Sequence, residues 1–222
     1  IDSGLVKKSI AEVKIGFKKL EVSRISLFSA KQRAGRAART GPGICFQLWH
    51  ALDERSMPNS IQPEVLTSDL LEESITLLSL GIQNPDNFSW LDKPTTSFKQ
   101  AIDKLQKWGL VNTEKGRLVQ STPLDIEKSF LFIELSLHGM QKAASTFLAF
   151  LETTNFEKLT EPVDLEQLKL NNLGYKIKKQ LTHITTPHVY EFHQSFKHLL
   201  ISLFFKNFPN KIAKRKEKNI AI

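Results

Sequence analysis

One short run near the start of the chain carries its most specific chemistry: Gln32-Arg33-Ala34-Gly35-Arg36-Ala37-Ala38-Arg39-Thr40-Gly41. On a helix, Gln32, Arg36 and Arg39 fall at i, i+4 and i+7, which is one face. That face offers an amide and two guanidiniums. Guanidiniums are forked donors with a permanent charge, suited to the oxygens of a polyphosphate. Ala34, Gly35, Ala37 and Ala38 keep the other faces thin, as close packing on a neighbour requires. A charge run can also be a plain solvated face, but such a face has no need of glycine and alanine. Arg33 lies off the stripe and reads as an ion-pair partner within the fold. Ser29, three residues before Gln32, has capping-box spacing, and Gly41-Pro42-Gly43 is expected to stop the helix.

Other elements must hold that helix in place. Residues 1–28 spread Val6, Ile10, Phe17, Leu20, Val22 and Ile25 among lysines, with Gly16 midway, and predict a two-stranded hairpin. It carries Lys7, Lys8, Lys14, Lys18 and Lys19. After the motif, Ile44-Cys45-Phe46-Gln47-Leu48-Trp49 predicts a short buried strand. These pieces are too few for a sheet domain alone, so they read as the last strand–helix–strand part of a parallel α/β domain.

Beyond a polar connector with Pro58, Val65, Leu66, Leu70, Ile75 and Leu78 predict an amphipathic helix ending at Gly81. Phe98, Ala101, Ile102, Leu105 and Trp108 predict a second helix over 97–108, stopped by Gly109. Leu110-Val111 and Arg117-Leu118-Val119 flank Glu114-Lys115-Gly116 as in a small hairpin, which suggests a winged helix. Residues 124–151 are strongly apolar, and Gly139 is expected to divide two helices of a bundle. Residues 164–182 predict a basic amphipathic helix.

Composition narrows the partners. The 222 residues carry 31 Lys and Arg against 23 Asp and Glu, a net charge of +8, which favours an anionic partner. Cys45 is the single cysteine, so no internal disulfide forms and a reducing, cytoplasmic setting is expected. The longest apolar run, Leu199–Phe205, is too short to cross a bilayer, and no membrane partner is expected. The chain opens on Ile1 rather than Met, as a piece of a longer protein would.

The motif run resembles motif VI, Q-R-x-G-R-A-G-R, of the DEAH-box branch of superfamily 2 helicases, with Ala38 where that family has Gly. Asp2-Ser3-Gly4 is similar to the end of motif V, and Arg24-Ile25-Ser26 to the lead into motif VI. Val13 stands where the family's hairpin usually carries Pro. Pro63-Glu64-Val65, Leu80-Gly81-Ile82, Trp90-Leu91-Asp92-Lys93-Pro94 and Gly109-Leu110 follow in the family's order. Phe208-Pro209-Asn210-Lys211-Ile212-Ala213-Lys214-Arg215 resembles a signature of the bacterial HrpB-type members, with Asn210 and Lys211 replacing Asp and Arg.

The resemblance implies an α+β, mostly α chain. A partial second RecA-like domain over 1–55 would precede a winged helix over 56–122, a helical bundle or ratchet over 123–182 and a basic C-terminal segment over 183–222. It implies that Gln32, Arg36 and Arg39 bind ATP, with Arg36 and Arg39 as catalytic arginine fingers, and Mg²⁺ in the full-length enzyme. It also implies that the hairpin lysines meet single-stranded RNA or DNA. The partner that would complete the ATP site is the missing N-terminal RecA-like domain.

The chain itself has no G-x-x-x-x-G-K-[ST] loop and no Asp-Glu-x-His run. Alone it is therefore expected to hold no cofactor and to hydrolyse no ATP. His183, His188, His193 and His198 recur every five residues, a step of ~140° on a helix, so they share no face and no metal is expected. Two other readings stay open: a non-catalytic nucleic-acid-binding remnant of a helicase, and a winged-helix DNA-binding regulator. The second would need base-reading side chains on 97–108, which offers Lys99, Gln100, Lys104, Gln106 and Lys107.

Overall fold

The computed structural model describes residues 1–12, 17–66, 68–154, 164–165, 167–184, 195–209, 215–217 and 220–221. They form an α+β chain dominated by helices and divide into two compact units. The first comprises 1–69 and 90–97, the second 70–89 and 98–222.

The first unit begins with the expected hairpin. Strand β1 (Leu5–Glu12) pairs antiparallel with β2 (Phe17–Arg24), from Leu5 opposite Arg24 to Glu12 opposite Phe17. The turn with Val13, Lys14 and Gly16 lies outside the described residues. At the open end, the Ile25 N–H donates to the Gly4 carbonyl at 3.0 Å. Helix α1 (Leu27–Gly35) follows at once. Its N-cap is Ser26, whose hydroxyl accepts from the Ser29 N–H, so the cap expected at Ser29 is three residues too late. Ser26 wins because it leaves the strand with extended backbone, the geometry a cap requires. The α-helix also ends earlier than Gly41: it tightens at Arg36–Ala38 into a 3₁₀ turn.

The strand expected at 44–49 does not form. Asp2 donates its N–H to the Phe46 carbonyl and accepts from the Leu48 N–H, both at 2.8 Å, making one parallel bridge between Asp2 and Gln47. Ile44, Phe46 and Leu48 are 77%, 63% and 64% exposed. Apolar composition signalled burial, but burial needs sheet on the other side, and the described residues provide a single rung. The chain then enters the short helix α2 (Ala51–Glu54), capped reciprocally by His50 and Asp53. Asp53 also pairs with Arg24 at 3.3 Å. The connector 57–59 runs along the start of α1, where Leu27 and Phe28 donate to Pro58 and Asn59 carbonyls.

In the second unit, α3 (Leu71–Ser79) starts later than its apolar pattern suggests. The residues expected to open it form a separate 3₁₀ turn, Glu64–Leu66, which belongs to the first unit. Helix α4 spans Thr95–Lys107, with Phe98, Ala101 and Leu105 buried. Gly81 and Gly109 follow α3 and α4 with φ of +83° and +68°, a left-handed conformation that costs glycine little.

The hairpin expected over 110–119 is instead helix α5 (Glu114–Ser121). Thr113 caps it by accepting from the Gly116 N–H at 3.0 Å, and a side chain on Gly116 would overlap the Leu110 carbonyl. Lys115 is drawn to Glu134 and donates to the Trp108 carbonyl, while Gln120 donates to the Ile75 carbonyl. Those tertiary contacts outweigh a three-residue alternation, so the described residues of 110–121 contain no wing.

Helices α6 (Ile126–Leu137) and α7 (Gln141–Thr153) are divided by Gly139, as expected, at φ +77°. Phe132, Ile133 and Leu135 of α6 are completely buried. Helix α8 (Asn172–Thr182) packs on α7, and Gln141 holds its end by donating to the Leu181 and Ile184 carbonyls. Helix α9 (Phe196–Asn207) brings Phe208 edge-on to Trp108, which stacks on Phe130 with centroids 4.4 Å apart. Two short paired strands, β3 (Arg215–Glu217) and β4 (Ile220–Ala221), follow. No described helix is long and apolar enough to cross a membrane.

Candidate functional site

Gln32, Arg36 and Arg39 sit on α1 and its 3₁₀ continuation, and all three are exposed. Four α-helical steps separate Gln32 from Arg36, an offset of about 40°. A 3₁₀ turn has three residues, so Arg36 and Arg39 eclipse one another about 6 Å apart along the axis. Arg39 keeps right-handed helical dihedrals, φ −69° and ψ −32°, which preserves that alignment. The switch from α to 3₁₀ thus brings the points where the two arginine side chains leave the backbone closer to one line than an unbroken α-helix would. No carboxylate among the described residues pairs with either. Two adjacent cations left without an anion form a surface that favours one.

Arg33 behaves differently. Its Nη1 donates to Asp2 Oδ1 at 3.0 Å and to the Leu5 carbonyl at 3.3 Å. The ion-pair role read from its off-stripe position is met by a buried carboxylate. The small-residue faces of the motif are only partly used. Nothing approaches within 4 Å of a side chain built on Gly35, whereas one on Gly43 would overlap the Ala37 carbonyl. The close packing expected around the motif is therefore supplied by the loop that follows it.

The hairpin lysines are spread along both strands. Lys7 stands opposite Val22, Lys8 opposite Glu21, Lys19 opposite Ile10 and Lys18 opposite Ala11. Lys7 is exposed, and Lys14 lies outside the described residues. On α4, Lys104 pairs with Glu127 at 2.8 Å and covers the Trp108 ring at 4.9 Å, so it is committed to the fold rather than to reading bases.

Cys45 is a free thiol in an irregular segment, half-buried rather than enclosed in a strand. His183 caps the end of α8 and the His198 ring bonds the Ser195 hydroxyl at 2.8 Å, while His188 and His193 lie outside the described residues. Sequence reasoning passed over Asp2 and Gly43 as parts of the site. An arginine inside a helical motif but off its stripe was the available signal for a buried carboxylate nearby. The repeated glycine around Pro42 was the signal for a close backbone approach.

No family model matches the chain. It is 38% identical over 117 residues to the ATP-dependent RNA helicase DEAH12, chloroplastic, of Arabidopsis thaliana, a match covering 52% of this chain and 7% of that one. It is 29% identical over 199 residues to the pre-mRNA-splicing factor ATP-dependent RNA helicase prp22 of Schizosaccharomyces pombe, covering 86% of this chain and 17% of that one. Among solved structures it resembles the Escherichia coli DExH-box NTPase HrpB, with TM-scores of 0.75 and 0.77 in two structures, at 23% identity. Those alignments cover 98% of this chain and 27% and 28% of the HrpB chains, and they show a shared fold. The chain spans less than a fifth of the length of either curated relative.

Proposed function

We propose that this chain is a stretch of a DEAH-box helicase and that it supplies the arginine half of an ATP site, a reading supported by its likeness to the two RNA helicases. The observation that carries the reading is the exposed line of Gln32, Arg36 and Arg39 with no described carboxylate on the two arginines, while Arg33 beside them is neutralised. Arg36 and Arg39 would stabilise charge that develops on the transferred phosphoryl, and Gln32 would orient it. The β-phosphate cradle and the Mg²⁺ ligands would come from a RecA-like domain elsewhere in a longer protein, since this sequence has no loop to cradle a phosphate. Held between two such halves, ATP would be turned over only when both close on it.

The nucleic acid would be RNA, the substrate class in the names of the curated relatives, bound as a single strand. Lys7, Lys8, Lys18 and Lys19, on the two strands of the hairpin, would meet backbone phosphates without reading sequence. Helices α6–α9 would form the helical bundle of such a helicase.

The test is ATP turnover by the longer polypeptide that contains this segment. Arg36→Ala and Arg39→Ala should each reduce RNA-stimulated hydrolysis by about 10³-fold, the scale of an arginine finger, with thermal unfolding unchanged. Turnover within a few-fold of the parent in both variants would sink the reading. The isolated 222-residue chain should show no hydrolysis above background.

A further inference from the structure

We propose that Asp2 and Gly43 are positioning residues that mount the Gln32–Arg36–Arg39 line from two sides. The proposal rests on the phosphate-facing reading above and adds what holds the guanidiniums in register.

The segment that needs holding is short and weakly supported. The 3₁₀ turn Arg36–Ala38 has no side-chain hydrogen bond at its start, and Gly35 before it has open space around it. Left to itself, such a turn frays. Two contacts oppose that. Upstream, Arg33 lies about 100° around the helix axis from Gln32, so fixing its guanidinium fixes the rotation of the whole line. Its anchor, Asp2, is 7% exposed. Asp2 Oδ1 accepts from the Gly4 N–H and from Arg33 Nη1, both at 3.0 Å, and Oδ2 is buried with no hydrogen-bond partner. Arg33 is thus the cation that answers this buried charge, and removing either partner leaves the other strained.

Asp2 is itself immobilised. Its main chain bridges to Phe46 and Leu48, and the neighbouring Gly4 carbonyl takes the Ile25 N–H just before α1. Gly4, at φ +69°, lies where a side chain would meet the Trp49 ring at 2.7 Å. One residue therefore ties the hairpin base, the arginine helix and the 46–48 segment together. Downstream, the Gly43 backbone presses so closely on the Ala37 carbonyl that any side chain there would overlap it. Ala37 lies between the two arginines, so the turn is clamped in its middle.

The test uses the 222-residue chain and nuclear magnetic resonance. Without any anion, the heteronuclear NOE of backbone amides 36–39 reports their order. With inorganic tripolyphosphate, the side-chain Nε–Hε signals of Arg36 and Arg39 report affinity. Asp2→Asn keeps the shape and removes the charge. It should lower the NOE across 36–39 and weaken tripolyphosphate binding roughly fivefold, leaving the resonances of 98–153 in place. Gly43→Ala should do the same through the other mount, and it keeps the proposal testable if Asp2→Asn fails to fold. The proposal is overturned if both folded variants keep the parent NOE and affinity. It is equally overturned if they lower the melting temperature with affinity unchanged, the signature of a purely structural role. Silence of Arg36 and Arg39 toward tripolyphosphate in the parent chain would remove the phosphate reading instead, and the anion-free NOE would still decide the mounts.

Discussion

Helices α1 and α6 are close in length and opposite in character. Of α1, only Ala30 is fully buried, and its C-terminal turn ends in exposed arginines. Of α6, eight of twelve residues are buried, among them Phe130, Leu131, Phe132 and Ile133 in succession. A helix apolar on all sides sits in a core, whereas one with a thin back and a charged edge is held at a few points and presents chemistry. The contrast extends to the surroundings. Near α1 the alternate apolar residues Ile44, Phe46 and Leu48 are exposed, while α6 is roofed by Trp108 on Phe130 and by α7. The fold thus keeps its stability and its candidate chemistry in different places, which predicts that mutations will separate them.

The largest stability effect should come from α6. Leu135→Ala removes a completely buried side chain and should destabilise the chain by about 3–5 kcal/mol in urea unfolding. Arg36→Ala should stay within about 0.5 kcal/mol of the parent, as exposed positions usually do. Comparable losses in both would erase the distinction.

A second pair probes the hairpin. Lys7→Ala with Lys19→Ala changes one lysine on each strand and should reduce binding of a single-stranded oligonucleotide while lowering its salt slope by about 1.4. A slope that does not move would place the phosphate contacts elsewhere.

The smallest effect concerns pH. Burial of Lys128 favours the neutral amine, but its hydrogen bonds to Asp125 and Glu152, and their charges, win, so the pKa stands above its usual 10.5. A folded-state pKa that is raised contributes stability below the unfolded value and loses it as pH climbs through the folded one. The parent should therefore lose more stability than Lys128→Met as pH rises above about 10.5. Parallel curves would show that the group is a plain surface pair.

What could be read from the sequence follows the same division. Where one local rule governs, sequence and structure agree: the β1–β2 pairing and the breaks at Gly81, Gly109 and Gly139. Where distant contacts compete, they do not. Glu114-Lys115-Gly116 looked like a turn because nothing nearby reveals that Lys115 reaches Glu134 or that Gln120 reaches Ile75. Ile44–Trp49 looked buried because composition reports what a segment could pack against, not whether the neighbour is there. Ser29 looked like the cap because the capping-box pattern ignores where the preceding strand ends. Asp2 was legible only as part of a motif, since its role depends on a partner thirty-one positions away.

The most direct measurement compares arginines across the two units. In a tripolyphosphate titration of the 222-residue chain, the Nε–Hε signals of Arg36 and Arg39 should shift together and saturate. Arg117, exposed on α5, and Arg33, held by Asp2, should barely respond. A uniform, non-saturating drift of all four arginines would mean that the motif is an ordinary charged surface and that its alignment has no bearing on phosphate.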